Sequence, residues 1–190
     1  MLIFTKRGLT YFLLIDAVLL ATALTFLMVK NDAKPLGLED FGSGKMRLTS
    51  PAFAQNGPIP AKYTCQGDNV SPPLEVAGVP ENAKSLALIM DDPDAPIGTF
   101  THWVVWNLPP RAAFKEGAAP AGAIEGQNGA GKPGYTGPCP PTGTHRYFFK
   151  LYALDEAPVL PPSTNAKALE AAMEGKIVER AALVGIYRKK

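Results

Sequence analysis

Histidine and cysteine are scarce in this 190-residue chain, with two of each, and that scarcity limits the chemistry on offer. Cys65 and Cys139 lie far apart with no C-x-x-C, so a thiolate metal site is excluded. Basic runs are missing except for Arg188, Lys189 and Lys190 at the tail, and the net charge is only +2, so nothing points to a nucleic-acid partner. No G-x-S-x-G elbow is present, and with it goes the usual hydrolase serine. No internal repeat is visible. Good helix-forming stretches are also few. What the chain has instead is turn chemistry, with 18 glycines and 19 prolines, which favours short strands joined by stiff loops.

One long apolar run stands apart. "LTYFLLIDAVLLATALTFLMV", Leu9 to Val29, follows Lys6 and Arg7 and has about the twenty residues a bilayer core requires. Asp16 costs roughly 3 kcal/mol on an insertion scale, which the surrounding Leu, Ile, Val and Phe offset. The expectation is an N-terminal transmembrane helix over residues 1–29, acting as an anchor or signal-anchor, with secretion after signal cleavage as the alternative. Residues 30–45, "KNDAKPLGLEDFGSGK" in the main, mix charge, Pro and Gly without periodicity and read as a flexible linker. A folded domain is expected over 46–190. Together these predict a single-pass protein of the cytoplasmic membrane, with its domain on the periplasmic or extracytoplasmic side.

Within the domain the patterning is β. "SLALIM" from Ser85, "HWVVWNL" from His102 and "RYFFKLYAL" from Arg146 are bounded by Pro or Gly and rich in apolar, β-branched and aromatic residues. Weaker strands are expected at Met46, Leu74 and Arg180–Arg188. "STNAKALEAAMEG" is the best helix, with Ser163 or Thr164 as its cap and Gly175 as its stop. This predicts a mainly β fold, an antiparallel β-sandwich with Greek-key connections and one or two short helices.

Both histidines sit beside stiff loops. "DDPDAP" precedes His102, and its prolines hold Asp92 and Asp94 on an extended turn. "YTGPCPPTGTHRY" ends at His145. These segments, with "SPAF…IP…YTCQGDNVSPPLEV" upstream, resemble the phosphatidylethanolamine-binding protein family, and more narrowly its bacterial and archaeal Raf kinase inhibitor-like branch, over about residues 46 to 188. The chain departs from that branch at Gln66 and Val76, where Asp and Trp are common.

The resemblance implies a small pocket at one end of the sandwich that binds phosphate-type anions, either a phospholipid head group or another phosphorylated ligand. It implies a ligand-binding set of Asp92, Asp94, His102, Tyr135, Pro140, Pro141, His145 and Tyr147, with no cofactor and no catalytic residue. A regulator that inhibits a kinase or protease through a protein partner is a further implication of the family. Carboxylates would repel an anion, so Asp92 and Asp94 are expected to orient the imidazoles by accepting a hydrogen bond from one ring nitrogen. Arg146 alternates away from His145 and is expected to pair with a loop carboxylate. The alternative is a metal-dependent hydrolase built on the same Asp and His cluster. Cys65 and Cys139 could be bridged or free, since sequence does not place their Cβ atoms.

Overall fold

The computed structural model describes Phe41 and residues 44–190. Among these the strands are β1 Arg47–Thr49, β2 Gly57–Pro58, β3 Glu75–Ala77, β4 Ser85–Asp92, β5 Phe100–Leu108, β6 Ile124–Glu125, β7 Thr144–Leu154 and β8 Ile177–Arg188. One α-helix, α1, spans Ala166–Met173, and a 3-10 turn spans Ala61–Tyr63. All six strand segments expected from patterning are present. The helix is shorter than expected and its cap is different. Asn165 caps it, accepting the Ala168 N–H at 3.0 Å, while the Thr164 hydroxyl donates to the Pro161 carbonyl at 2.7 Å.

The main sheet has six strands in the order β2-β8-β7-β4-β5-β6, and β1 pairs with β3 in a separate two-stranded sheet. Ladders between these strands are antiparallel except β2 with β8, which runs parallel and departs from the wholly antiparallel sheet expected. The centre of the sheet is covered on both faces. Leu86, Leu88, Met90, Trp103, Val105, Tyr147, Phe149 and Leu151 pack on one side with Met46, Leu48, Phe53, Leu74 and Phe114 from the small sheet and loops. Ala87, Ile89, Val104, Trp106, Tyr152 and Leu154 pack on the other with Leu169 and Met173 of α1. This explains why all eight residues of β4 are buried, a continuous run rather than an alternating one.

The expected transmembrane helix over residues 1–29 lies outside the described residues. Among those described, no helix is long and apolar enough to cross a membrane. The fold assignment and the cytoplasmic-membrane placement with an extracytoplasmic domain are corrected accordingly. α1, with its eight residues, rises only about 12 Å, far short of the roughly 30 Å of a hydrocarbon core, and it spends its apolar face on the sheet. Of the expected linker only Phe41, Gly44 and Lys45 are described. The Phe41 ring meets Tyr152 edge-on at 5.8 Å.

Cys65 and Cys139 form a disulfide, with Cα atoms 5.4 Å apart, which resolves the alternative left open by sequence. The bridge ties the 3-10 turn region to the loop before β7, and the Cys65 N–H also donates to the Pro138 carbonyl at 3.1 Å. Closing a loop of this length removes conformational entropy from the unfolded chain, worth up to about 4 kcal/mol in the chain-entropy account. A Cys65→Ser/Cys139→Ser variant should therefore lose about 2–4 kcal/mol in urea unfolding; an unchanged midpoint would refute that contribution.

Candidate functional site

The site forms where β4, β5 and β7 end together. Asp92 closes β4 and His145 is the second residue of β7, and both side chains project to the face of Leu88, Met90, Tyr147 and Phe149. His145 Nδ1 meets Asp92 Oδ2 at 2.7 Å with both side chains buried. The carboxylate accepts, which fixes the Nδ1–H tautomer. The other Asp92 oxygen, Oδ1, accepts the Asp94 N–H at 2.9 Å, so the aspartate also closes the turn that follows it.

Neighbouring carboxylates point elsewhere. Asp91 faces the opposite side of the sheet and accepts from Lys150 Nζ at 2.5 Å, its pKa raised by burial despite that partner. Asp94 is gripped by Arg146, which donates to it from its backbone N–H at 2.9 Å, from Nε at 2.8 Å and from a terminal nitrogen at 2.6 Å. That guanidinium holds the Asp94 carboxyl down to about 2. Two latches thus fasten the loop after β4 to the start of β7, Asp92 with His145 inside and Asp94 with Arg146 outside.

His102 reaches the same region by an irregularity. In the β4/β5 ladder Met90 pairs with Trp103 but Asp91 pairs with Thr101, so His102 is the extra residue of a β-bulge. Trp103 and Val105 face one core and Val104 and Trp106 the other, and strict alternation would send His102 towards α1. The bulge instead sets its ring edge-on against Tyr147, with centroids 5.2 Å apart, and against Phe100 at 4.9 Å. His102 Nδ1 lies 2.7 Å from the Thr136 carbonyl, and the Thr136 N–H donates to the His102 carbonyl at 2.9 Å. A carbonyl can only accept, so here too Nδ1 carries the proton. Burial pushes the His102 pKa below that of free imidazole.

The two rings border a cavity of about 260 Å³, which Asp92, His102, His145, Phe100, Ile97, Pro96, Gly137, Cys139, Pro140 and Pro141 help to line. Gly137 allows the loop to pack tightly, because a Cβ there would fall 2.6 Å from both Asn69 Oδ1 and the Tyr63 carbonyl. Ile97 stands at the rim with 98% of its surface exposed. Of the residues expected from sequence, the structure brings Asp92, His102, Pro140, Pro141 and His145 together around the cavity, and Asp94, Tyr135 and Tyr147 do not line it. Tyr147 is a buried support beneath both rings. Burial, then the nearby Asp92 carboxylate, push the pKa of its hydroxyl up. Tyr135 donates to the Tyr63 carbonyl at 2.7 Å and packs on Trp103. Thr136 went unnoticed because it acts through its backbone, for which sequence has no mark. Phe100 and Ile97, in "PIGTFTH", could have been found by their closeness to His102. A larger open cleft of about 550 Å³ along β8 gathers Tyr187 and Gln66, but the Tyr187 hydroxyl donates to Gln66, whose amide also pairs with the Lys190 backbone.

The family model described as phosphatidylethanolamine-binding protein matches residues 49–188. The chain belongs to the phosphatidylethanolamine-binding protein family. Similar family proteins include a UPF0098 protein of Methanothermobacter thermautotrophicus, 50% identical over 150 residues, which are 76% of this chain and 99% of that one. A UPF0098 protein of Pyrococcus horikoshii is 46% identical over 167 residues, 82% of this chain and 84% of the other. Among solved structures, a phosphatidylethanolamine-binding protein homologue from Chlamydia trachomatis superposes with a TM-score of 0.75 at 45% identity, covering 78% of this chain and all of its own. E. coli YbcL, described as a member of the mammalian family, gives 0.72 at 29% identity, covering 77% of this chain and all of its own. The mainly β family fold is therefore shared across these relatives.

The buried neutral ring of His102 links stability to pH with a definite sign. Its folded pKa lies below the unfolded value of 6.5, so as pH falls through 6.5 the unfolded chain takes up a proton before the folded one does. The stability due to His102 is complete above that value and is lost as pH drops below it. Urea unfolding between about pH 7.5 and 5 should show a decline that is shallower in His102→Asn than in the wild type; equal slopes would refute the assignment.

Proposed function

We propose that this family domain binds a small phosphate-type anion in the cavity between Asp92, His102 and His145, the ligand being a phospholipid head group or another phosphorylated molecule. The observation that carries this reading is the pair of imidazoles bordering one cavity, each with Nδ1 already engaged, His145 by Asp92 and His102 by Thr136. Only the Nε2 atoms are left for a ligand. A doubly protonated His145 offers Nε2–H to an anion while Asp92 neutralises the ring, which keeps the buried charge paired. The Asp92 carboxylate, spent on His145 and on the Asp94 N–H, then serves the histidine instead of repelling the guest. The surrounding prolines and Phe100 give the cavity apolar walls, beside which the polar contacts that remain are strengthened.

The metal-dependent hydrolase reading gains no support from the donor geometry. Asp92 and His145 spend ligating atoms on each other, and among the described residues no group of three or more His, Cys, Asp or Glu side chains is arranged to hold a metal ion. Titration calorimetry with inorganic phosphate and phosphoethanolamine, in chelator, should show saturable binding to the wild type. The affinity should fall at least about tenfold in His145→Ala. Failure of both ligands to bind, or binding only after a divalent metal is restored, would overturn the proposal. Thermal melting of the variant separates loss of the site from loss of the fold.

A further inference from the structure

The cavity has a polar floor and an apolar wall, and the two are held by different means. The floor is the pair of imidazoles, fixed by Asp92 and by Thr136. The wall includes Cys139, Pro140 and Pro141, which lie on the loop that leads into β7. As far as Pro138 that loop is pinned through its backbone. The Thr136 N–H donates to the His102 carbonyl at 2.9 Å, the Gly137 N–H to Asn69 Oδ1 at 2.8 Å, and the Pro138 carbonyl accepts from the Cys65 N–H at 3.1 Å. Beyond Pro138 the pinning stops. Pro140 and Pro141 have no N–H to give, and among the described residues no hydrogen bond holds residues 139–142. What ties the wall to the rest of the domain, short of β7 itself, is the bond from Cys139 to Cys65. Both cysteines are exposed, so a thiolate from solution reaches that bond without the fold opening.

We propose that the Cys65–Cys139 bridge is a redox modification site, the target of a dithiol reductant, and that its state sets the affinity of the pocket, high when bridged and low when reduced. This rests on the anion-pocket reading and adds its regulation. In the exchange a reductant thiolate attacks one cysteine sulfur and the S–S bond breaks, leaving a mixed disulfide that the second thiol of the reductant resolves. The reductant leaves as a disulfide, and two electrons and two protons pass to Cys65 and Cys139, which become thiols. A disulfide oxidant such as oxidised glutathione reverses the steps. Cutting the bridge leaves the floor with its hydrogen bonds and frees the wall to leave its place. Affinity then falls by the fraction of time the wall is in position, about tenfold if that fraction is about a tenth. Linkage makes the effect reciprocal, so an anion that binds the bridged form better makes the bridge harder to reduce by the same factor.

The test is calorimetry of the full chain with inorganic phosphate and phosphoethanolamine, in chelator, on oxidised protein and on protein reduced with dithiothreitol, with thiols counted and melting followed in parallel. The expected result is an affinity at least threefold lower after reduction and restored by oxidised glutathione. Cys65→Ser/Cys139→Ser should bind as the reduced protein does, whether or not dithiothreitol is present. Saturating phosphoethanolamine should shift the equilibrium of the bridge with dithiothreitol towards the oxidised form by the factor that calorimetry gives. A change of less than threefold in reduced protein that still melts cooperatively would overturn this inference and leave the anion pocket standing. So would a bridge that excess dithiothreitol fails to open in the folded protein. Loss of cooperative melting on reduction would overturn it as well, because the bridge would then serve the whole fold and not one wall. Failure of the oxidised protein to bind either ligand would instead overturn the pocket reading itself.

Discussion

A pleated strand offers its side chains to two faces in turn, and here both faces of the central sheet are covered. Every residue of β4 is therefore buried, and each polar group along it must find a partner on its own side. Asp91 finds Lys150 on one face and Asp92 finds His145 on the other. The antiparallel register between β4 and β7, with Met90 opposite Phe149 and Asp91 opposite Phe148, keeps Asp92 and His145 on one face within hydrogen-bonding reach. Shifting the register by one residue would exchange the two carboxylates between faces and part both pairs.

The second histidine is brought in against that alternation. With one extra residue in β5, the sheet turns His102 from the α1 side to the side of Tyr147 and the cavity, and Thr136 secures it twice, its carbonyl accepting from the ring Nδ1–H and its N–H donating to the His102 carbonyl. The loop carrying Thr136 is itself held by the Cys65–Cys139 bridge and by the Gly137 N–H donating to Asn69 Oδ1 at 2.8 Å. The polar floor of the cavity thus rests on three independent ties, so its geometry is set before any ligand arrives. Such preorganisation reduces what a small guest must spend on ordering the site.

The strands were legible where local patterning and burial agree. "SLALIM", "HWVVWNL" and "RYFFKLYAL" each carry enough β-branched and aromatic residues to declare themselves, and the opposed directions of His145 and Arg146 follow from the two-residue period alone. The parallel pairing of β2, two residues long, had no such mark. The helix cap was misplaced because Ser163, Thr164 and Asn165 are all competent caps and only the turn from Pro161 selects the last. The apolar run over 9–29 gave a membrane expectation from length and composition, a signal that registers hydrophobicity and not where a segment sits.

By itself the sequence determined the β class, the two stiff loops and the residue types gathered near their ends, because proline, glycine and strand periodicity act over a few neighbours. It also gave Asp92 and His145 as candidates through motifs whose order along the chain is specific. Only the tertiary structure decided that Asp94 belongs to Arg146, that Tyr147 supports the rings from below, that the cysteines are bridged, and that His102 faces the cavity with its Nδ1 proton given to a backbone carbonyl. Each of these depends on register, on a bulge or on a backbone group far away in the chain, and a carbonyl oxygen has the same formula at every residue.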